Sequence, residues 1–410
     1  MTARPDMSSD AAGETRLGVA ISLELALAAA CCRWPPTPSR KAAVLGYASR
    51  GVNWQILVEV ARRHRIEGLV WNGLREAGVD VPSAAAGQLQ GAAARIARDN
   101  LAFAAESVRL QRMLDAAEVP FLFVKGVTLA QLAYGTLGLK QAWDIDLVVA
   151  QHSIGRICAL LRDAGYRRIH PGPEVSDARF QVWMSLCKES VWRNDRNGIH
   201  VELHNALVDN PLFLAGVGLH SPRQSVQVAA EARLSTLSTT HLFSYLCAHG
   251  AGHSWARMKW LADVAALLKD NAPPEIERLY EESLELGAAR SAGAALLLCS
   301  ELFELALPSS LESRLRCDGP TLCLARIALN SMARGDGRTE LDRLTFATIP
   351  IHLSYFLLVP GWRFKRAEFM RRLVSAWDRV TIPLPRALHF LYPVMLIPRW
   401  LMRRHRQARQ

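Results

Sequence analysis

No two of the eight cysteines are spaced Cys-x-x-Cys, so the usual zinc-ribbon and redox signatures are missing. Most of the eight sit in apolar stretches with helical spacing, which reads as reduced core thiols of a cytosolic protein rather than a disulfide framework. No run of 18 or more apolar residues occurs, so a conventional spanning helix is not expected. The apolar stretch 17–32 lacks the marks of a signal peptide. Glu24 interrupts it, no basic segment opens it, and Arg33-Trp34-Pro35-Pro36 follows where a small-residue cleavage site would stand. It reads as an amphipathic helix. Aromatic residues are scarce at 7% although half of the 410 residues are hydrophobic. The balance is made up largely of Ala and Leu, which favours helices.

Acidic charge is also in deficit, leaving a formal net charge of +11. Such an excess suits a polyanionic partner: a nucleotide, a nucleic acid or an anionic membrane surface. No RNA-recognition motif accompanies it, so nucleic acid is the weakest of the three. The excess is concentrated at one end, since the last fifty residues hold eleven arginines and a lysine. That tail also carries Trp362, Trp377 and Trp400 and short apolar clusters broken by prolines. This composition suits a shallow, salt-sensitive seat on the inner face of a membrane; its alternative is a helical tail docked on the fold.

What is present is concentrated in 121–150, FLFVKGVTLAQLAYGTLGLKQAWDIDLVVA. The spacing predicts a strand over 121–124, a turn at Lys125-Gly126, a short helix over 127–134, a glycine-bracketed loop, and a second strand entered through Asp144-Ile145-Asp146. Alternate strand residues share a face, so the two carboxylates point together while Ile145 turns to the core. Their Cα atoms would stand about 6.6 Å apart, and acids so close repel unless a cation separates them or one is protonated. Oxygen pairs of this kind suit a hard divalent ion shared with substrate phosphates. Gly126 sits where strand passes into helix, the place where free N–H groups and positive potential receive an anion.

Around that centre the chain divides into a disordered start (1–16), an N-terminal helical bundle (17–117), a core (118–210), a C-terminal helical region (211–340) and a basic, apolar tail (341–410). Helices are expected over 54–64 with Asn53 as cap, 66–77, 83–117 and 153–164. Strands are expected over 166–169, 180–191 and 199–207, with a hairpin turn at 194–198. Beyond Pro211 the pattern reads as helix, including one long helix over 239–269, and Gly335-Asp336-Gly337 reads as a linker.

A two-metal transfer site needs a third carboxylate. Glu202 supplies a candidate, as the one acid on the polar face of the alternating His200-Val201-Glu202-Leu203-His204. On a continuous helix from Thr239, steps of 100° place His249, His253, Arg257, Trp260 and Asp263 in a stripe roughly 120° wide. With His204 these could line a cleft; the competing reading is a polar face packed on a neighbour. His249 and His253 lack the following Glu of a metalloprotease helix. His64 reads as a packed structural histidine.

These residues resemble the nucleotidyltransferases of the DNA-polymerase-β superfamily. The likeness is greatest to an uncharacterised bacterial group whose core reads Leu-Lys-Gly, a basic residue, Asp-Ile-Asp-Leu-Leu-Val and Glu-Leu-His. Here those elements stand as Val124-Lys125-Gly126, Lys140, Asp144-Ile145-Asp146-Leu147-Val148-Val149 and Val201-Glu202-Leu203-His204, and the likeness runs from about residue 50 to residue 270. It implies an α+β fold with a polymerase-β-like nucleotidyltransferase core, a small mixed sheet flanked by helices. It implies transfer of a nucleoside monophosphate from an NTP to an acceptor hydroxyl, with Mg²⁺ (or Mn²⁺) held by Asp144, Asp146 and Glu202. Lys125, Gly126 and Lys140 would hold phosphates. Val127 replaces the serine that usually follows the glycine, and Lys140 an arginine, so bidentate phosphate geometry is lost there. The alternative is a nucleotide-binding or adaptor module that keeps the fold without turnover.

Overall fold

Continuous apolar runs make the centre of the molecule. The computed structural model describes residues 11–334, 349–374 and 376–394. Five strands form its main sheet: β1 (Phe121–Phe123), β2 (Ile145–Val149), β3 (Tyr166–His170), β4 (Glu189–Asn194) and β5 (His200–His204). Their spatial order is β1-β2-β5-β4-β3. Only β2 and β5 run parallel. The strand–helix–strand unit that opens the core is therefore not a parallel crossover: β2 returns antiparallel to β1 through the 135–144 loop.

The sheet separates two apolar clusters. Ile145, Leu147 and Val149 face one that includes Val201, Leu203 and the helix Ile154–Asp163. Leu122 and Val148 face the other, which includes Leu129 and Ala133 of α1 (Gly126–Tyr134). Asp146, Glu202 and His204 lie on this second face, where its apolar lining stops. Gly126, at φ +61°, opens α1 in a conformation that disfavours a side chain.

Several expectations are corrected. The segment 17–32 gives a short strand, Ala20–Ser22, and a helix, Leu23–Cys32, whose ten residues are all buried. It is buried on every side and thus central rather than amphipathic; Glu24 Oε1 accepts from the Asn53 N–H at 3.0 Å, while its buried Oε2 has no hydrogen-bond partner. Ala11–Glu14 pairs with Ala20–Ser22, so the start of the chain is not structureless up to residue 16. Residues 180–186 belong to a helix, α2 (Asp177–Leu186), because Phe180, Trp183 and Met184 bury at helical spacing; β4 begins only at Glu189. The hairpin Arg223–Ala229/Ala232–Leu237 stands where helix was expected, with Val226 and Val228 buried at period two. The proposed linker at 335–337 lies outside the described residues.

The long helix over 239–269 is two: α3 (Thr239–Gly252) and α4 (Met258–Leu267). Ser254 and Trp255 take left-handed conformations between them, and the Trp255 ring folds back against Gly250. The helix Ser83–Ala116 is 34 residues long. Its buried Asn100 fixes the loop before β2, donating to Leu137 O and Lys140 O and accepting from the Ala142 N–H.

Much of the tail is part of the fold. On α5 (Trp362–Leu373), Phe364 is buried and meets Phe213 edge-on at 6.2 Å. Glu368 is buried between Arg371, Arg372 and Asn210. Trp377 meets Trp183 at 6.2 Å. No helix among the described residues is long and apolar enough to cross a membrane. All eight cysteines are free thiols, five of them buried, while Cys317 and Cys323 are exposed.

Candidate active site

Strand register builds the site. Parallel pairing puts Asp146 of β2 opposite Glu202 of β5, and antiparallel pairing puts Glu189 of β4 opposite His204 of β5. Neighbouring strands stand about 4.8 Å apart, so four polar side chains gather on one face. His204 Nε2 lies 3.1 Å from Asp146 Oδ1 and 3.4 Å from Glu202 Oε2, while its Nδ1 lies 3.4 Å from Glu189 Oε2. Ligand atoms of Asp146, Glu202 and His204 all fall within 4.8 Å of one another. Asp144, one residue before β2, lines the same cavity. The sequence expectation named Asp144, Asp146 and Glu202 as the metal set. The structure groups His204 with Asp146 and Glu202 and leaves Asp144 at the edge of that cluster.

The charges are strongly coupled. Burial and then the nearby Asp146 and Glu202 push the Asp144 carboxyl up to about 7. Burial also opposes charge on Asp146, but Lys125 and His204 outweigh it and hold that carboxyl well below the usual range. The Lys125 ammonium stands 2.7 Å from Asp146 Oδ1, so this lysine neutralises the acid cluster directly. Lys140 Nζ lies 3.6 Å from Asp263 Oδ2, and the Tyr134 hydroxyl donates to Asp263 Oδ1 at 3.1 Å. Asp263 thus ties the loop before β2 and the end of α1 to α4.

Facing the acids is a cationic wall. The cavity has a volume of about 320 Å³ and is lined by Arg65, Lys140, Arg257 and Lys259 on that side. Arg65 takes a left-handed conformation that ends the helix Trp54–His64, and its guanidinium lies 4.3 Å from the centre of the half-exposed Trp143 ring. Burial, then Lys140 and Arg65, lowers the Lys259 ammonium to about 7. Neither Arg65 nor Lys259 has a carboxylate partner among the described residues, so this wall is electropositive and suits phosphate oxygens. His64, fully buried, accepts from the Met258 N–H at 3.1 Å and so fixes the start of α4. Its reading as a structural residue holds.

All of Lys125, Gly126, Lys140, Asp144, Asp146, Glu202, His249, His253, Arg257 and Asp263 line this one cavity, and His204 lies beneath the acids. The stripe on one continuous helix becomes residues from two helices and the break between them. His253 caps the end of α3 and stacks on Trp260 with ring centres 4.8 Å apart. Burial keeps His249 and His253 neutral, His253 near 3. The sequence reading missed Arg65, Lys188, Glu189 and Lys259. Lys188-Glu189 was absorbed into an overlong strand, and Lys259 falls off the stripe of an unbroken helix.

A small mixed sheet with helices on both sides and adjacent acids on its two parallel strands is a nucleotidyltransferase-like core. Comparison with protein families agrees: the model of an uncharacterised nucleotidyltransferase family matches residues 50–304, and the chain belongs to that family. Among curated proteins, nothing matches it.

Proposed function

We propose that the protein transfers a nucleoside monophosphate from an NTP to an acceptor hydroxyl. The observation that carries this reading is the register placing Asp146 beside Glu202 and above His204, opposite a wall of arginine and lysine. The donor set fits a hard divalent cation. One buried oxygen, Asp146 Oδ2, has no hydrogen-bond partner, and the carboxylate oxygens of this set suit Mg²⁺ or Mn²⁺. Asp146, Glu202 and His204, with Asp144 beside them, would hold it. When bound, such an ion polarises phosphate oxygens and acidifies the attacking hydroxyl.

The chain's own groups do the rest. Arg65, Lys140, Arg257 and Lys259 hold the triphosphate, and the backbone at Gly126 approaches it at the N-terminus of α1. Lys125 keeps Asp146 ionised. The acceptor oxygen bonds to the α-phosphorus, the bond to the bridging oxygen of the β-phosphate breaks, and pyrophosphate leaves with that electron pair. Glu202 takes the hydroxyl proton. The alternative, a binding module without turnover, is favoured by Val127 in the serine position. The neighbouring hydroxyl, Thr128 Oγ1, donates to Lys125 O at 2.9 Å and is buried. Turnover of labelled NTP separates the two readings.

If the cationic wall contacts phosphate, Lys140→Ala and Lys259→Ala will each weaken NTP binding by about ten- to a hundredfold, as expected for one charge-assisted hydrogen bond. Nucleoside binding will change far less. Calorimetry with NTP and the matching nucleoside decides it, and equal losses for both ligands would mean that these lysines act through the fold. Lys125→Ala is expected to act differently, by removing the counter-charge of Asp146.

A membrane-peripheral seat keeps one supporting observation. Trp362, Phe369 and Met370 are 66%, 53% and 48% exposed and share a face of α5 with Arg366 at helical spacing. Full-length protein should pellet with anionic vesicles at low salt, and a Trp362→Ser/Phe369→Ser variant should not. Wild-type protein that ignores such vesicles would leave the tail as an element of the fold alone.

A further inference from the structure

A second cavity lies directly behind the first. It has a volume of about 370 Å³, and it shares Lys188, Glu189, His249 and His253 with the nucleotide cavity. These four residues, at the start of β4 and the end of α3, are the partition along which the two cavities adjoin, and a hydroxyl held in the second must pass between them to reach the α-phosphorus. From that partition a chain of contacts reaches the reacting centre: Glu189 Oε2 to His204 Nδ1 at 3.4 Å, and His204 Nε2 to Asp146 Oδ1 at 3.1 Å. A molecule in the second cavity would lie beside the α-phosphate site without competing for the cationic wall.

The two cavities differ in chemistry. In the first, six cationic side chains face five carboxylates; in the second, Lys188 and Arg371 face Glu189, Asp209 and Glu368. Both of those cations are already paired, Lys188 Nζ with Glu189 Oε2 at 2.9 Å and Arg371 with Glu368 at 2.7 Å. An anionic ligand would find no free counter-charge there and would meet Asp209. The lining also includes Trp183, Phe213 and Phe364, with Asn210, whose amide donates to Glu368, and Tyr355, whose hydroxyl donates to Gly252 O; both keep acceptor capacity. Aromatic faces beside amide, hydroxyl and carboxylate groups match a compound with an apolar ring face and a polar, hydroxylated rim.

The outer wall comes from Tyr355, Leu358, Phe364, Glu368 and Arg371, all beyond the 50–304 segment shared with the family. The nucleotide cavity, by contrast, is built wholly from within it. We propose that the second cavity is the acceptor site, that the acceptor is an uncharged or singly cationic hydroxylated ring compound, and that residues 355–371 select it. This rests on the nucleotidyl-transfer reading.

The test uses full-length protein, Mn²⁺, α-labelled NTP and the small-molecule fraction of a cell extract, split by anion exchange into flow-through and retained pools. Labelled product is expected from the flow-through. Val208→Trp, which fills the second cavity from a half-buried position that does not line the first, should lower product at least a hundredfold. It should leave the Kd for Mn²⁺-NTP within about twofold. Should that variant fail to bind NTP, Val208→Phe, with a smaller ring, is read the same way. Product from the retained pool alone, or wild-type turnover in a Val208 variant that binds NTP, overturns the acceptor site while leaving nucleotidyl transfer intact. No α-label transfer from either pool overturns both.

Discussion

Asp144→Asn and Asp146→Asn will both lower nucleotidyl transfer by about three orders of magnitude, but only the second will destabilise the protein. The loss of rate follows from removing a carboxylate that would hold the divalent ion, whose charge would stabilise the transferring nucleotidyl group by several kcal/mol. The difference in stability follows from what each acid touches. Asp146 is the buried partner of Lys125 at 2.7 Å and of His204 at 3.1 Å. Its removal deprives a buried ammonium of its direct ion-pair partner, a change that costs about 3–5 kcal/mol. Asp144 stands against Asp146 and Glu202, which with burial raise its carboxyl to about 7, so Asn there relieves repulsion. Urea unfolding of the two variants checks the contrast. Equal stability would mean that Lys125 does not depend on Asp146, and full activity in either would remove that acid from the site.

Gly250→Ala will disturb both the packing and the site. A Cβ there collides with the Trp255 ring, which is 2% exposed and has no space to retreat into. Overpacking of this kind costs about 3 kcal/mol. It also reopens the turn between α3 and α4, and with it the positions of His253, Arg257 and Lys259. Transfer activity and the denaturation midpoint should therefore fall together. A variant with wild-type stability would show that the Gly250–Trp255 contact does not hold the break.

The local part of this architecture is legible in the sequence, and the non-local part is not. The strand–helix–strand unit over 121–150, the Asp-x-Asp pair and the alternation around Glu202 depend on periodicity and turn chemistry within a few residues. All three stand in the structure within a residue or two. Periodicity does not reveal that β2 and β5 are parallel neighbours, nor that Asp146 falls opposite Glu202. It does not show that Lys125 turns onto Asp146. Arg65 was hidden because its left-handed backbone follows a helix whose last turn is already basic. Lys259 and the α3–α4 break were hidden because the apolar spacing reads as one helix over 239–269. The stop depends on Trp255, which lies past the helix it terminates. The second cavity was out of reach for the same reason, since its lining runs from His170 to Arg371.

The central claim is that this site moves a nucleoside monophosphate. It is tested most directly by incubating the full chain, Mn²⁺ and a cell extract with NTP labelled at either the α- or the γ-phosphate. Label should pass from the α-position into a new product while γ-label appears only in pyrophosphate. Transfer of the γ-label to the acceptor would contradict the account.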